Sequence, residues 1–496
     1  MALWLAGAVS LASGVALMLW FWPGGLPYDA TSGVWTALAS DVAHGEFYRA
    51  VHGPAGYGGT RYMPLFFLLH GGLIHAGMDA VAAGLALTIG SLMLLMAGTF
   101  ALMRRLGASV TVALPATGVL LASITLQLLA IAVKGDLLAA ALNVGGLALA
   151  VGAGGSSRGW RVAGALLAAA MLTKFTAIFA LVALAIWLAR RGEWSRLRKL
   201  IVGTLAVVGA GLALTWWLSA GRIAENFAIC ATGGLSIGYA AKFPWWFVCV
   251  LAQDPFLVAI FLAAAVAAFL RGRRTGFDLL QIYFVVTTVG TILLFASPGT
   301  DSNHLVDLLV ASVVLLAVGI SAGQVGRTTV RGGAGLLAVA VAAMWLPGVP
   351  SVRHFLEARG RPTQAGIDEI QRRLPPGAAD RLLAENPMVP VALGRRPEVL
   401  DAFSLRLIAA RDPRTADEFL RRILNGRYSA VVLVDWSGVP SDDRWREIER
   451  HASFGAAHFY GEMNFPPGFL EALRDHYRLS FVFGVLVVFE PKKNSP

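Results

Sequence analysis

The chain has 496 residues, 56% of them hydrophobic and 14% charged, with a mean hydropathy of +0.65. Soluble domains carry about 25% charged residues, so this composition excludes an ordinary soluble enzyme and points to a polytopic α-helical membrane protein. The net charge of +11 is explained by the sidedness of the loops described below and gives no ground for a nucleic-acid partner.

Apolar segments of about 20 residues match the thickness of the hydrocarbon layer. They fall near 3–22, 80–102, 109–132, 136–153, 200–219, 255–270, 277–296, 304–322 and 331–348. The first has neither a basic flank nor a small-residue cleavage site and is expected to be a retained span. Between Arg161 and Arg190 lies a longer apolar stretch with Lys174 at its middle. A single span there would leave the lysine in mid-membrane, at about 2.5–3.5 kcal/mol. Two half-spans meeting at Lys174 put its ammonium in water and keep both flanking basic clusters on one side, so a hairpin is expected. The total is about eleven spans.

The charges then sort by side. One set of loops holds Arg104, Arg105, Arg158, Arg161, Arg190 to Lys199, Arg271 to Arg274, Arg327 and Arg331. The opposite set, up to residue 350, holds Arg49, Arg61, Lys134, Lys174, Arg222 and Lys242 with an excess of acids. The positive-inside rule makes the first set cytoplasmic. The N-terminus is then cytoplasmic, and the loop from 23 to 79 and the C-terminal region are extracytoplasmic.

Residues 1–350 read as the membrane domain and 351–496 as a small α/β domain outside it. There, "PTQAGIDEIQRRL", "DPRTADEFLRRIL", "SDDRWREIERH" and "PPGFLEALRDHY" have helical patterns, the first two with an early acid and late arginines. "RYSAVVLVDW" and "LSFVFGVLVVFEP" are strand-like. The Gly-rich "VGAGGSSRG" at 151–159 has no strand before it and reads as a turn rather than a phosphate loop. Cys230 and Cys249 lie in or near one outward loop; a disulfide stays open, and their number and spacing suggest no metal site.

Polar groups gather at four outward ends. The first loop has Asp29, Asp41, Glu46, Arg49, His52, Arg61 and Tyr62. "VKGD" supplies Lys134 and Asp136, and "TKFT" supplies Lys174. "PGTDSNHLVD" supplies Asp301, Asn303, His304 and Asp307. Ionisable residues beside spans are functional candidates by default. Each also has a plain structural role: Asp29 can cap the amphipathic stretch that follows it, and Asp41 and Glu46 read as its solvated face. Arg61 can anchor to headgroups, Lys134 and Asp136 can form an interfacial pair, and His304 and Asp307 can polarise the start of a span.

"YDATSGVWTALASDVAHGEFYR…GGTRYMPLFFLLHG", "AVKGDLLAAALNVGGLALA", "LLAAAMLTKFTAIFALVALAIW" and "GTDSNHLVDLLVA" occur in the order in which bacterial membrane glycosyltransferases of the GT-C class carry similar segments. Residues 1–350 resemble that class, with its family 39-like protein O-mannosyltransferase and lipid A aminoarabinose transferase relatives. The resemblance implies inverting transfer of a sugar from a polyprenyl-phosphate donor to an extracytoplasmic acceptor in a bacterial cytoplasmic membrane. It implies Asp29 as the base and Arg61, Lys134, Lys174 and His304 around the donor phosphate. Tyr62, Asp136, Asp301, Asn303 and Asp307 would support them. "MPLFFLL" and "FPWWF" would lie at the interface and guide the prenyl chain. Where aminoarabinose transferases carry Glu-Lys this chain has Arg61-Tyr62, which leaves a metal ligand at that position, and a divalent cation altogether, open. A transporter or flippase of lipid-linked glycans is the alternative, although transporter charges are expected at mid-membrane between internal repeats. A membrane-embedded receptor or assembly factor is a third, and it leaves the polar loop ends unexplained.

Overall fold

The structure is a computed structural model. It describes the chain apart from residues 23, 28, 54–55, 232, 234–236, 298, 325–326, 347–350, 354–355, 357–363, 375–380, 435–463, 484–485 and 493–496. The expected helix in "SDDRWREIERH" lies outside the described residues.

Helix α1 (Ala2–Phe21) leads to a loop holding α2 (Ala30–Ala43), the short antiparallel strands β1 (His52–Gly53) and β2 (Gly56–Tyr57), and α3 (Pro64–His75). Then come α4 (Ala80–Arg105), α5 (Val110–Val119) with a 3-10 turn at Leu120–Ala122, α6 (Ile124–Ala130), α7 (Asp136–Gly152), α8 (Ser157–Thr173), α9 (Phe179–Arg190) and α10 (Trp194–Leu218). Three shorter helices follow, α11 (Arg222–Cys230), α12 (Ile237–Ala240) and α13 (Phe243–Leu251). The bundle ends with α14 (Pro255–Thr275), α15 (Leu279–Leu294), a 3-10 turn at Ser302–Leu305, α16 (Val306–Ser321) and α17 (Arg327–Ala343). α1 packs on α5 and α17, α4 on α7, α7 on α8 and α8 on α10, while α14 and α15 close on α16.

Among the described residues five helical segments are long and apolar enough to cross a membrane alone. They are α1, α4, α10, Pro255–Arg273 of α14, and Ser302–Ser321. The expected span at 109–132 is instead broken, with a 79° bend between Val110–Ala122 and Ile124–Ala130. The cause is local chemistry at Ser123. Its Oγ donates to Asp254 Oδ2 at 2.5 Å, and Thr125 N donates to the same oxygen at 3.0 Å. Asp254 thus caps α6 from the start of α14 and satisfies backbone freed by the break. The expected hairpin at Lys174 is present: α8 ends at Thr173, Lys174 is its C-cap, and α9 begins at Phe179.

After α17 come α18 (Gln364–Arg373), β3 (Leu382–Ala384), α19 (Met388–Ala392), α20 (Ala402–Arg411), α21 (Pro413–Leu424), β4 (Ala430–Val434), α22 (Phe469–His476), β5 (Tyr477–Phe483) and β6 (Leu486–Pro491). The sheet order is β3-β4-β6-β5, with β3 and β4 parallel and the other pairs antiparallel. "LSFVFGVLVVFEP", expected as one strand-like run, is divided between two paired strands, β5 and β6. β4 is a continuous apolar run buried on both faces, with Val431 and Leu433 in one apolar cluster and Ala430, Val432 and Val434 in another.

The first loop enters this α/β layer. Tyr57 N donates to Glu398 O at 2.7 Å and Leu400 N donates to Tyr57 O at 3.0 Å, a parallel bridge beside the buried Tyr57 ring. α2 approaches α19 so closely that a Cβ on Gly33 would lie 2.5 Å from Met388 N, so only glycine fits there.

Asp41, expected on a solvated face, is buried (6% exposed). Arg49 clasps it with Nε at 2.5 Å and Nη2 at 2.9 Å, and its Nη1 donates to Pro397 O at 2.6 Å. Arg396 reaches Asp41 at 3.1 Å and also pairs with Glu46, which Arg222 meets at 3.3 Å. The turn after α2 brings Arg49 back over Asp41, and the α/β layer then seals the pair. These carboxylates are structural.

Candidate active site

Asp29 is the N-cap of α2. Its Oδ1 accepts from Ser32 N at 2.9 Å and Oδ2 from Ser32 Oγ at 2.6 Å. Capping was expected, and it does not use up the carboxylate: Lys134 Nζ stands 3.0 Å from Oδ1. Ser32 Oγ in turn accepts from Val133 N at 3.0 Å, which ties the base of α2 to the segment carrying Lys134. Two residues on, Asp136 opens α7. Gly135 between them is closely packed, since a Cβ there would lie 3.2 Å from both Thr173 Cγ2 and the Trp35 ring. Three elements therefore converge on "VKGD".

Asp136 receives Lys174 Nζ at 2.5 Å and Asn303 Nδ2 at 2.8 Å. A small pocket beside them is lined by Asp136, Lys174, Thr176, Asn303, His304 and Asp307, among others. His304 Nδ1 is buried there with no hydrogen-bond partner among the described residues, and Lys174, Asp136, Arg61 and Lys134 all act on the ring electrostatically. Asp307 accepts from Asn143 Nδ2 at 2.8 Å at the pocket's inner end. Asp301 is exposed and caps its own 3-10 turn by accepting from Ser302 N, so the structure keeps it at the rim.

Arg61 and Tyr62 close the site from the first loop. Tyr62 stacks on Trp35 with centroids 4.4 Å apart, and its carbonyl accepts from Tyr48 Oη at 2.8 Å. Arg61 lies over the Phe403 ring at 4.8 Å. Among the described residues no carboxylate stands at ion-pair distance from it, whereas Lys134 and Lys174 each hold one.

Sequence reasoning missed the contribution of α20. Asp401 caps that helix, accepting from Phe403 N at 3.1 Å and Ser404 Oγ at 2.7 Å. Burial raises its carboxyl above the ordinary range, against the Ser404 bond and the Arg61 charge, which lower it. "LDAFSL" does carry an N-cap signature, but nothing local ties it to Arg61 more than 300 residues earlier.

The interfacial elements divide. α3 turns Phe66 and Phe67 inward against Trp35 and Phe47 and leaves Leu69 exposed. α13 leaves Trp245 and Trp246 exposed, as do Trp216 and Trp217 at the end of α10. Cys230 is buried and Cys249 half-buried, and neither is in a disulfide. Among the described residues no three His, Cys, Asp or Glu side chains form a group that could hold a metal ion.

The polar cluster sits at one end of the bundle. α7 runs from Asp136 to Gly152, about 24 Å at the helical rise, to a far end where a Cβ on Gly152 would lie 2.9 Å from Arg105 Cζ. The site and an arginine of the expected cytoplasmic set are therefore separated by nearly a hydrocarbon thickness.

No protein-family model and no curated protein matches this chain. Solved structures do. ArnT from Cupriavidus metallidurans bound to undecaprenyl phosphate superposes with a TM-score of 0.58 at 14% identity, over 98% of each chain. The Archaeoglobus fulgidus oligosaccharyltransferase tethered to an acceptor peptide gives 0.54 at 12% identity, over 99% of this chain and 74% of that one. AglB from the same organism, in complex with an inhibitory peptide and a dolichol-phosphate, gives the same values. At such identities the likeness is one of fold: the chain is a polytopic membrane protein with the GT-C architecture and a small C-terminal α/β layer.

Proposed function

We propose that this protein is an integral membrane glycosyltransferase that moves a sugar from a polyprenyl-phosphate donor to an extracytoplasmic acceptor, with inversion. The observation that carries this reading is the cluster at one end of the bundle. A carboxylate with a lysine beside it (Asp29, Lys134) stands next to a second such pair (Asp136, Lys174), with an arginine above them that has no acidic partner among the described residues. Support comes from the fold, since similar structures hold undecaprenyl phosphate, dolichol-phosphate or an acceptor peptide.

In this mechanism the acceptor's hydroxyl or amine gives its proton to Asp29 as its electron pair attacks the anomeric carbon. The bond from that carbon to the phosphate oxygen breaks, and its electrons leave on the polyprenyl monophosphate. A positioned base contributes about 10²–10⁴ in rate. The phosphate gains charge as it departs, and Arg61, Lys134, Lys174 and His304 stabilise it. Arg61 suits this best, because its planar fork can make paired bonds and no carboxylate among the described residues stands at ion-pair distance from it. Residues 1–350 form the catalytic membrane domain, and 351–496 form an extracytoplasmic domain that roofs the site. The setting is a bacterial cytoplasmic membrane.

Incubating the purified protein with a panel of labelled polyprenyl-phosphate sugars should yield transfer or hydrolysis of at least one donor. Inertness towards all of them, with the protein folded, overturns the reading. A reporter inserted at Gly192 should be cytoplasmic and one fused after Pro496 extracytoplasmic; the reverse pattern puts the cluster on the wrong side.

A further inference from the structure

We propose that Ser32 is a positioning residue for Asp29 and that it selects Oδ2 as the oxygen that takes the acceptor's proton. The inference rests on the reading of Asp29 as the base, and it follows from the partners of one carboxylate. The two oxygens of a carboxylate offer about four lone-pair sites. Oδ1 is filled, by Ser32 N at 2.9 Å and Lys134 Nζ at 3.0 Å. Oδ2 has a single partner among the described residues, Ser32 Oγ at 2.6 Å. The remaining lone pair on Oδ2 is the one available for a proton.

Capping does not account for the Ser32 hydroxyl. The N-cap needs an oxygen accepting from a backbone N–H of the first turn, and Ser32 N already supplies that bond. The hydroxyl adds a second, shorter bond to the ionised group, of the charge-assisted kind. Its direction is also fixed. Ser32 Oγ accepts from Val133 N at 3.0 Å, so its own hydrogen points to Asp29. Ser32 is fully buried, and water does not compete for that hydrogen. One hydroxyl therefore holds the carboxylate plane and locks it to the backbone beside Lys134. When Asp29 takes the acceptor's proton on Oδ2, the new carbon–acceptor bond forms and the bond to phosphate breaks with its electrons on phosphate. The Ser32 bond persists through that step and keeps the open lone pair aimed.

The test is a double-mutant cycle read with whichever undecaprenyl-phosphate sugar the donor panel shows to be turned over. Ser32→Ala should lower kcat about tenfold with little change in the donor KM, because the residue acts on the base and not on the phosphate. In an Asp29→Asn background the same change should cost less than about twofold, since the group it positions is gone. Thr36→Ala is the control: among the described residues its buried hydroxyl bonds within α2 alone, to Ser32 O at 2.8 Å, and its loss should leave kcat within about twofold. Ser32→Cys fills the place of the hydroxyl with a somewhat larger atom that is only a weak donor and should also lose turnover, so a poorly folded Ala variant does not stall the test. Normal kcat in Ser32→Cys, or an equal loss on both backgrounds, overturns the proposal. If Asp29→Asn alone keeps full activity, the base assignment itself has failed, which is a different outcome.

Discussion

Two aspartates on the same helix meet opposite fates. Asp41 near the end of α2 is clasped by two nitrogens of Arg49, touched by Arg396 and sealed beneath the α/β layer. Asp29 at the start of α2 has a lysine's point charge and the backbone N–H and hydroxyl of Ser32, and one lone pair is left over among the described residues. Bidentate guanidinium contact satisfies a carboxylate and takes it out of chemistry; a single ammonium leaves it charged and usable. The difference lies in the partners, and burial alone does not separate them, since Asp29 is 9% exposed and Asp41 6%.

Substitution should separate the two roles. The largest effect is expected at Asp41: Asp41→Ala leaves Arg49 buried without its partner and should cost about 3–5 kcal/mol of stability. A thermal melt in detergent should record the loss, with activity per folded molecule little changed. Next is Asp29→Asn. Asparagine caps as well as aspartate, so the melt should not move, while turnover should fall by about 10², or about 2.7 kcal/mol in the barrier. A dead Asp41 variant that melts normally, or an active Asp29→Asn protein, would erase the contrast. The smallest effect is expected at Arg61. Arg61→Ala should raise the donor KM about tenfold with normal expression, because a half-buried guanidinium over Phe403 holds no structural ion pair among the described residues. An unchanged KM would make it an interfacial anchor.

What could be read from the chain follows the range of each interaction. The break at Lys174 was legible because a charge in the middle of an apolar run disfavours a single span, although the ammonium expected in water meets Asp136 instead. Asp29, "VKGD" and "SNH" were legible because each sits at the polar end of its own apolar segment. The burial of Asp41 was not. Its local pattern fits a solvated face, and Arg396, which helps to seal it, lies some 350 residues away. The bend at Ser123 was hidden for the same reason, since its cause is a carboxylate at position 254. Asp401 has a clear capping signature, but its place beside Arg61 is a tertiary fact.

The Tyr57 bridge to Glu398 and Leu400 has a consequence in time. Residue 57 leaves the ribosome roughly 340 residues before its partners, and at about 5–20 residues per second it waits roughly 20–70 s for them. During that interval the ring of Tyr57 and the strand edge beside it are uncovered. The helices that precede the α/β layer can form first, but the surface of the loop is completed only by the last third of the polypeptide. Release of a shortened chain would leave Tyr57 without its bridge to Glu398 and Leu400. The first loop is thus completed late, after synthesis is almost over.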